Sequence, residues 1–467
     1  MRDALLLAVL PFLIFAIFQR PFIGIGLWIW TALFYPNAWV YGMAAGIRYN
    51  LLFTGVTILS YLASKNKSKL QLGSIGLLVV AFFTWTTLST VFGIGIPEIQ
   101  WEIWSRLAKI VTLFLFILLI VEKKLHLDFF MWCLIFSVGF FAGLEGLKYV
   151  ASGGGHHIEG FSGHILGDRN ELAVAMAMLL PICFYLLGEF GKQSTIIKFG
   201  LIALITLLVT AIIGTNSRGG IVALASVGGY LFIKSKRKIL FAFLIIAIGS
   251  AMVGLIPPEW FERMNTIGKA EGDASFMGRV VAWKLSFILA AQHPFFGGGF
   301  KSLEYFPVWS ALSQSFQQYS FFYTGNALPD PGMAHAAHSI YFQVLGEHGF
   351  VGLFLFIAIL ATAFFKAGTI AKTARQLNGP EWMISMATML RLSIFTYALG
   401  GAALSFAYFD MIFAFYALIV VLEKKFLPAL ISNQSEPSTS TGERLKTGNI
   451  AGAEVNYNAP NAASRHR

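Results

Sequence analysis

The sequence predicts an all-α polytopic membrane protein of about twelve transmembrane helices, interrupted by one long outer loop. Three observations carry this. Of 467 residues, 57% are hydrophobic and only 12% charged, and the mean hydropathy is +0.70, a balance that soluble domains of this size do not carry. Apolar runs of about twenty residues recur, the helix length that crosses a hydrocarbon core of about 30 Å, where unsatisfied backbone forces closed helices. Lysines and arginines gather in the short segments between those runs.

From residue 50 on, the spans are expected at about 50–63, 74–93, 101–121, 128–150, 171–190, 196–213, 219–233, 239–256, 338–365, 383–407 and 410–422. If each crosses once, the clusters Lys65-Lys67-Lys69, Lys123-Lys124, Lys192/Lys198, Lys234-Lys236-Arg237-Lys238, Lys366/Lys372/Arg375 and Lys424-Lys425 share one side, the cytoplasmic one by the positive-inside rule. Residues 4–18 and 21–35 are each short. One crossing plus a re-entrant piece places the N-terminus inside, two crossings place it outside; the former is favoured, giving twelve spans and both termini inside. Leu5–Phe18 mimics a signal h-region but runs into Gln19-Arg20-Pro21 without a small-x-small site, so it is expected to stay in the mature chain.

A net charge of +11 invites a nucleic-acid partner, but membrane orientation accounts for these cations and nucleic acid is discounted. Cys133 and Cys183 both lie in apolar runs, which supports neither a disulfide framework nor a metal knuckle. Division by hydropathy gives N-terminal transmembrane helices over 1–256, a large outer loop over 257–337, C-terminal transmembrane helices over 338–431 and a disordered cytoplasmic tail over 432–467. The loop is too long for a connector. Within it Phe276–Gln292 reads as an amphipathic interfacial helix, with Phe276, Val280, Trp283 and Phe287 along an apolar stripe and Arg279 and Lys284 flanking it.

The chemistry-bearing residues fall on the outer side. A helix starting near His338 would place His338, Tyr341, Phe342 and Leu345 on one face, with Gly346, Gly349 and Gly352 opening a close-packing surface. Arg169 in GDRNELA, Arg218 in TNSRGG and Arg279 in MGRVVAW stand beside glycine or at a helix start, where a guanidinium and a helix N-terminus can hold phosphate oxygens. Any one of these arginines alone is more readily a snorkelling or ion-paired side chain, Arg169 above all because Asp168 and Glu171 are close partners and Arg218 least, and a lone histidine is more readily a helix cap. His156, His157, Glu159, His164 and Asp168 are clustered but match no tight metal motif, so no metal and no cofactor is expected. No P-loop and no G-x-S-x-G elbow is present, and Gly297-Gly298-Gly299 reads as a turn after His293-Pro294.

GDRNELAVAMAMLLP, SRGGIVALA, GRVVAWKLSFILAAQHPFFGGGF and HAAHSIYFQVLGEHGFVG resemble, in order from Gly167 to Gly352, the segments of the O-antigen ligase and polymerase superfamily. The segment ALLLAVLPFLIFAIFQRPFIGIGLWIWTALFYPNAWVYG is similar to a branch described as O-glycosylation ligases. The resemblance implies a GT-C-type glycosyltransferase in the bacterial inner membrane, its active site facing the periplasm. Its donor would be a glycan on undecaprenyl diphosphate and its acceptor the lipid A core of lipopolysaccharide. It makes His338 the essential histidine and Arg218 and Arg279 the diphosphate-binding arginines, with Arg169, His335 and Tyr341 as further substrate-binding candidates. His335 departs from the usual pattern by adding a second imidazole, and Ser339 stands where Asn is common, so either histidine is open as the base.

That chemistry is intelligible from the residues. An acceptor hydroxyl must lose a proton, which an imidazole near neutrality can take, and the departing diphosphate needs positive charge, which two arginines supply. The rivals are a polymerase or a protein O-glycosylation ligase on the same scaffold and, more distantly, a lipid or solute transporter. A transporter should carry charge deep in its spans and show related halves. Glu145, Lys148 and Glu347 are the exceptions to surface placement, each near a span's outer end.

Overall fold

The computed structural model describes residues 2–65, 67–234, 238–239, 274–320, 328–330 and 332–435. Among these residues every regular element is helical. In chain order they are α1 (Arg2–Gln19), α2 (Pro21–Phe34), α3 (Tyr49–Ala63), α4 (Gly73–Val91), α5 (Pro97–Ile120), α6 (Lys124–Ala151), α7 (Arg169–Phe190), α8 (Thr195–Gly214), α9 (Arg218–Lys234), α10 (Ala274–Gln292), α11 (Phe306–Gln314), α12 (Ile340–Gln376), α13 (Glu381–Gly400) and α14 (Asp410–Val421).

Eight described helices are long and apolar enough to cross a bilayer: α1, α4 to α8, α12 and α13. Helices α2 and α3 are apolar but have only 14 and 15 residues, about 21–23 Å of rise. Helix α9 has 17 residues and α14 has 12; α14 runs on through a π turn at Leu422–Phe426 into Leu427–Ser435. The span expected over 239–256 falls, but for Ile239, outside the described residues, as do 257–273 of the long loop and the tail from 436.

Local chemistry sets the helix boundaries. Asp168 caps α7 by accepting the Asn170 N–H at 2.7 Å, and Ser194 caps α8 by accepting from Ile197 N. Prolines open α2 and α5 at positions where no intrahelical N–H is needed. In α6 a π turn at Ile135–Gly139 interrupts the α ladder, and the Phe136 carbonyl accepts from the Trp30 indole at 2.9 Å. Helix α7 is apolar all round and buried from Leu172 to Cys183, so it stands at the centre of the bundle, against α8, α9 and α13.

The bundle has two distinct ends. At one, Lys425 Nζ donates to the Val121 carbonyl at 2.8 Å, Lys124 pairs with Glu189 at 3.1 Å, and Lys366 pairs with Glu423 at 2.5 Å. The lysine clusters of separate loops thus meet on one face, as the alternation of spans predicts. At the other end Ile94 N–H donates to the Gly298 carbonyl at 2.9 Å and His164 Nε2 lies 2.8 Å from the Ala32 carbonyl.

The N-terminus corrects an expectation. Tyr41 N–H donates to Asp3 Oδ1 at 2.7 Å, and Ser60 Oγ donates to the Ile17 carbonyl at 2.8 Å. Helix α1 therefore starts beside the loop after α2 and ends beside the end of α3. Helices α1 and α2 are an antiparallel pair rather than one crossing plus a re-entrant piece, and the start of α1 lies at the end opposite the lysines. Parity alone had to choose, and the Asp3 bond decides it the other way.

The described parts of the long loop build a second, smaller core. Val281, Leu285, Ile288 and Leu289 of α10 pack with Leu303, Trp309, Leu312 and Phe316. The stripe expected to face the interface is turned instead toward α12, with Trp283 stacked on Phe342 at 5.3 Å and Phe287 edge-on to Phe350 at 5.8 Å. Lys284, expected at the flank, is buried with its ammonium 4.1 Å from the Phe316 ring centroid, a cation–π contact that tolerates the burial.

Candidate active site

His338 does not begin the helix. Helix α12 starts at Ile340 with Ser339 as its cap residue, and His338 sits before it with φ of 45°, in the left-handed region that a β-carbon disfavours. Its N–H donates to Ser405 Oγ at 2.9 Å, so the segment after α13 holds this backbone in place. Strained backbone held by its surroundings is a feature of functional positions. The expected common face of His338 and Tyr341 is therefore absent, and the Tyr341 hydroxyl donates to the Ala398 carbonyl at 2.8 Å, tying α12 to α13.

The glycines do allow close approach, but to three different neighbours. A β-carbon built on Gly346 would meet Ser286 of α10 at 3.3 Å, and one on Gly352 would stand 3.6 Å from Trp85 of α4. Gly349 breaks the helix at φ 68°, ψ −169°, a region essentially restricted to glycine, and a β-carbon there would lie 2.5 Å from the Phe295 carbonyl oxygen. Around this break the triple glycine docks: Gly298 N–H donates to the Gly346 carbonyl and Gly299 N–H to the Glu347 carbonyl, at 2.9 and 2.8 Å, and Phe350 N–H returns to the Pro294 carbonyl at 2.9 Å. The expected turn is there, and it doubles as a clamp.

Glu347 lies inside that clamp. Its Oε1 accepts the Lys301 N–H at 2.9 Å and its Oε2 the Tyr408 hydroxyl at 2.6 Å, so both oxygens of a carboxyl only 5% exposed are satisfied. His348 beside it is fully buried, with Nδ1 2.8 Å from Ser89 Oγ. The Ser89 hydroxyl lies 2.6 Å from the Phe296 carbonyl; a hydrogen given there makes Nδ1 the donor and leaves Nε2 without a partner among the rings of Phe82, Phe300 and Tyr408.

Two arginines stand at helix heads and a third one turn into a helix, and the head of α9 packs against α7 and the end of α13. Arg218 is the first residue of α9, with Ser217 Oγ accepting the Gly220 N–H at 3.1 Å. Gly219 and Gly220 open the space expected of them. A β-carbon on Gly220 would lie 2.5 Å from Ala173 Cβ in α7, and one on Gly219 would lie 3.5 Å from the Gly400 carbonyl oxygen at the end of α13. Gly401 in turn faces Ile340 at the head of α12, 2.9 Å from a built β-carbon. Arg169 opens α7 and Arg279 lies in the second turn of α10.

Electrostatics tie the heads of α7 and α10 to His338. His338 is half-buried, and that burial, with the nearby Arg279 charge, holds its imidazole below the ordinary histidine range. Asp168 and Glu304 work in the opposite direction and His335 in the same one. Arg279 also acts on Glu171, one turn into α7. Desolvation raises the Asp168 pKa, but hydrogen bonds from Glu171 and Asn170 and the charge of Arg169 outweigh it and keep the carboxyl below the usual aspartate value. His335 is exposed, its ring edge-on to Trp309 at 5.6 Å.

The cluster considered for a metal is otherwise engaged. His156 pairs with Glu145 at 2.6 Å, His164 stacks on Tyr35 at 5.0 Å, and Asp168 caps α7. Among the described residues no three of His, Cys, Asp and Glu converge as a metal-ligand set. Sequence reasoning missed Lys301, Glu304, Gln343 and Ser405, which had no spacing that links them to His338 across the chain.

A family model described as O-antigen ligase matches residues 202–357, the stretch that contains Arg218, Arg279, His335, His338 and Tyr341. A second, described as a family of unknown function, matches residues 1–191 and takes in Arg169. No curated protein matches the chain significantly. The first match takes in the heads of α9, α10 and α12, and over residues 202–357 this multi-pass chain is similar to the O-antigen ligase family.

Proposed function

We propose that the chain transfers a glycan from undecaprenyl diphosphate to a hydroxyl of the lipid A core, at the periplasmic face of a bacterial inner membrane, as an inverting GT-C-type enzyme. The observation that carries this reading is His338: a half-buried imidazole on strained backbone at the head of α12, with the Arg279 charge acting on it. An imidazole held below its usual range is unprotonated at neutral pH and available as a base.

In this reading His338 takes the proton of the acceptor hydroxyl. The acceptor oxygen forms its bond to the anomeric carbon as the bond from that carbon to the diphosphate oxygen breaks, and the electron pair leaves on the diphosphate. Arg218, at a helix N-terminus, and Arg279 balance the charge that develops. In the same reading Arg169, at the head of α7, contacts the donor and the exposed His335 contacts substrate at the rim. Tyr341 shapes the site through its bond to α13 rather than through a free hydroxyl. With two guanidiniums in that role the reaction needs no divalent ion.

The test uses purified protein in nanodiscs with undecaprenyl-diphosphate-linked glycan and deep-rough lipopolysaccharide, in EDTA. Transfer read as a size shift of the lipopolysaccharide, lost in His338→Ala and Arg218→Ala, is the expected result. Growth of the donor glycan itself would make the chain a polymerase, transfer to a peptide hydroxyl a protein glycosylation ligase, and no transfer at all would sink the enzyme reading.

A further inference from the structure

The stretch His293-Pro294-Phe295-Phe296-Gly297-Gly298-Gly299 of the long loop does not rest on top of the bundle. It reaches down along α4 and α12. The Trp85 indole donates to the Phe295 carbonyl at 3.2 Å, shared with the His348 carbonyl at 3.1 Å, and Ser89 Oγ lies 2.6 Å from the Phe296 carbonyl. Trp85 lies almost two turns, about 9 Å of helix rise, below the outer end of α4 at Val91. Helix α12 gives a similar depth. Phe350 N–H donates to the Pro294 carbonyl, and Phe350 stands about 24 Å of helix rise outward from Lys366, which pairs with Glu423 at the lysine end. With a hydrocarbon core of about 30 Å whose inner edge is at Lys366, both helices put these carbonyls roughly 6–9 Å inside the outer edge.

Non-helical backbone at that depth is tolerated only where protein satisfies its polar groups. Here protein does so. Besides the three carbonyls already named, Gly297 N–H donates to the His293 carbonyl, Gly298 and Gly299 N–H to the break in α12, and the Gly298 carbonyl accepts from Ile94 N–H and Gln100 Nε2 at 2.9 and 3.1 Å. The two phenylalanines then divide. Phe296 stacks on Trp85 and on Phe92, each at 4.9 Å, as a residue of a neighbouring helix would. Phe295 stays 64% exposed, between neighbours that touch Phe92 and Phe350, themselves 58% and 42% exposed, with Phe354 at 69% one turn further down α12. Such an aromatic surface is unfavourable in water and suited to acyl chains. Both helices beside it are long and apolar enough to cross a bilayer, so this surface continues their lipid-facing sides. We propose that residues 294–299 are a re-entrant segment in the outer half of the bilayer, with Phe295 in contact with the acyl chains of that leaflet. The loop that clamps the break in α12 is thereby anchored in lipid as well as in protein.

The test uses the full-length protein in nanodiscs and needs no transfer assay. Cys133 and Cys183 are both buried, so a spin label can be directed to Phe295→Cys, with Phe354→Cys as the lipid-facing reference and Gln317→Cys, exposed in the turn after α11, as the aqueous one. The label at 295 should collide more with oxygen than with a water-soluble nickel chelate, as at 354. Nickel access like that at 317 overturns the proposal. So does low access to both reagents, which would mean that another part of the chain or a second copy covers Phe295. A second variant, Phe295→Trp, keeps an aromatic ring in case the label itself disturbs the segment. The emission it adds over wild type should be quenched by lipids brominated along the acyl chain as strongly as that added by Phe354→Trp, and added emission insensitive to those lipids would equally overturn the assignment.

Discussion

The two ends of the helix bundle are held together by different physics. At the lysine end, long side chains reach between loops: Lys366 to Glu423, Lys124 to Glu189, Lys425 to the Val121 carbonyl. At the other end the backbone itself is in contact, glycine against glycine-rich loop, with a carboxyl and an imidazole buried in the joint. Partly exposed charge pairs on long side chains tolerate motion and substitution, whereas a buried joint of backbone hydrogen bonds holds one geometry. Orientation is therefore written in the first end and positional precision in the second, where His338 and the three arginines stand.

The sharpest way to break that comparison is Gly349→Ala. The residue occupies a conformation that only glycine adopts without strain, and a β-carbon would press on the Phe295 and Pro294 carbonyl oxygens at 2.5 and 2.6 Å. Strain and clash together should cost on the order of 4 kcal/mol, read as a large drop in melting temperature in detergent. A variant as stable as wild type would show that the clamp is not what fixes this end. Glu347→Leu comes next. It strands the Lys301 N–H and the Tyr408 hydroxyl, and roughly 3 kcal/mol should be lost. Glu347→Gln, which can still accept at one oxygen, should lose about 1 kcal/mol; equal losses in the two variants would mean that volume, not hydrogen bonding, is the role of this side chain.

How much of this was legible in the chain differs between the ends in the same way. The lysine face follows from alternating apolar runs, since each crossing flips the side and the loops declare themselves one by one. The His338 segment, its glycines and the arginine-bearing helix starts are local patterns and were readable too. The left-handed turn at His338 was not, because Ser405 imposes it from 67 residues away. Nor was the clamp, since nothing local in GGGF says that it docks on a helix break at GEHG. The antiparallel α1 and α2 were missed for a related reason: 14 apolar residues suit a short crossing or a re-entrant piece equally, and only Asp3 reaching Tyr41 decides between them.

The electrostatic joint at the site end can be sharpened through pH. Burial and then Arg279 lower the His338 pKa, so transfer activity should persist at neutral pH and fall on acidification, with its midpoint below the ordinary histidine value of about 6.5. Arg279→Gln removes a positive neighbour, which should raise the His338 pKa and move that limb toward higher pH, in addition to any loss of rate. Asp168→Asn removes a negative one and should move the limb the other way. Limbs that do not move in opposite directions would separate His338 from this cluster. Should the limb instead follow His335→Ala and ignore substitution at position 338, the exposed imidazole would be the base.

The smallest effect belongs to the lysine end. Lys366→Met removes a pair of 2.5 Å, but the lysine side chain is 39% exposed and Lys424 Nζ already stands 3.9 Å from the same Glu423 oxygen. Water reaches the lysine, the second lysine takes over part of the pairing to Glu423, itself only 11% exposed, and the methionine keeps the apolar stem, so less than about 1 kcal/mol should be lost. Whatever difference there is should shrink further at high salt, as exposed pairs do within a Debye length of about 10 Å, while the cost of Glu347→Leu stays constant because no ion reaches that joint. A Lys366→Met loss as large and as salt-insensitive as the one at Glu347 would erase the distinction between the two ends.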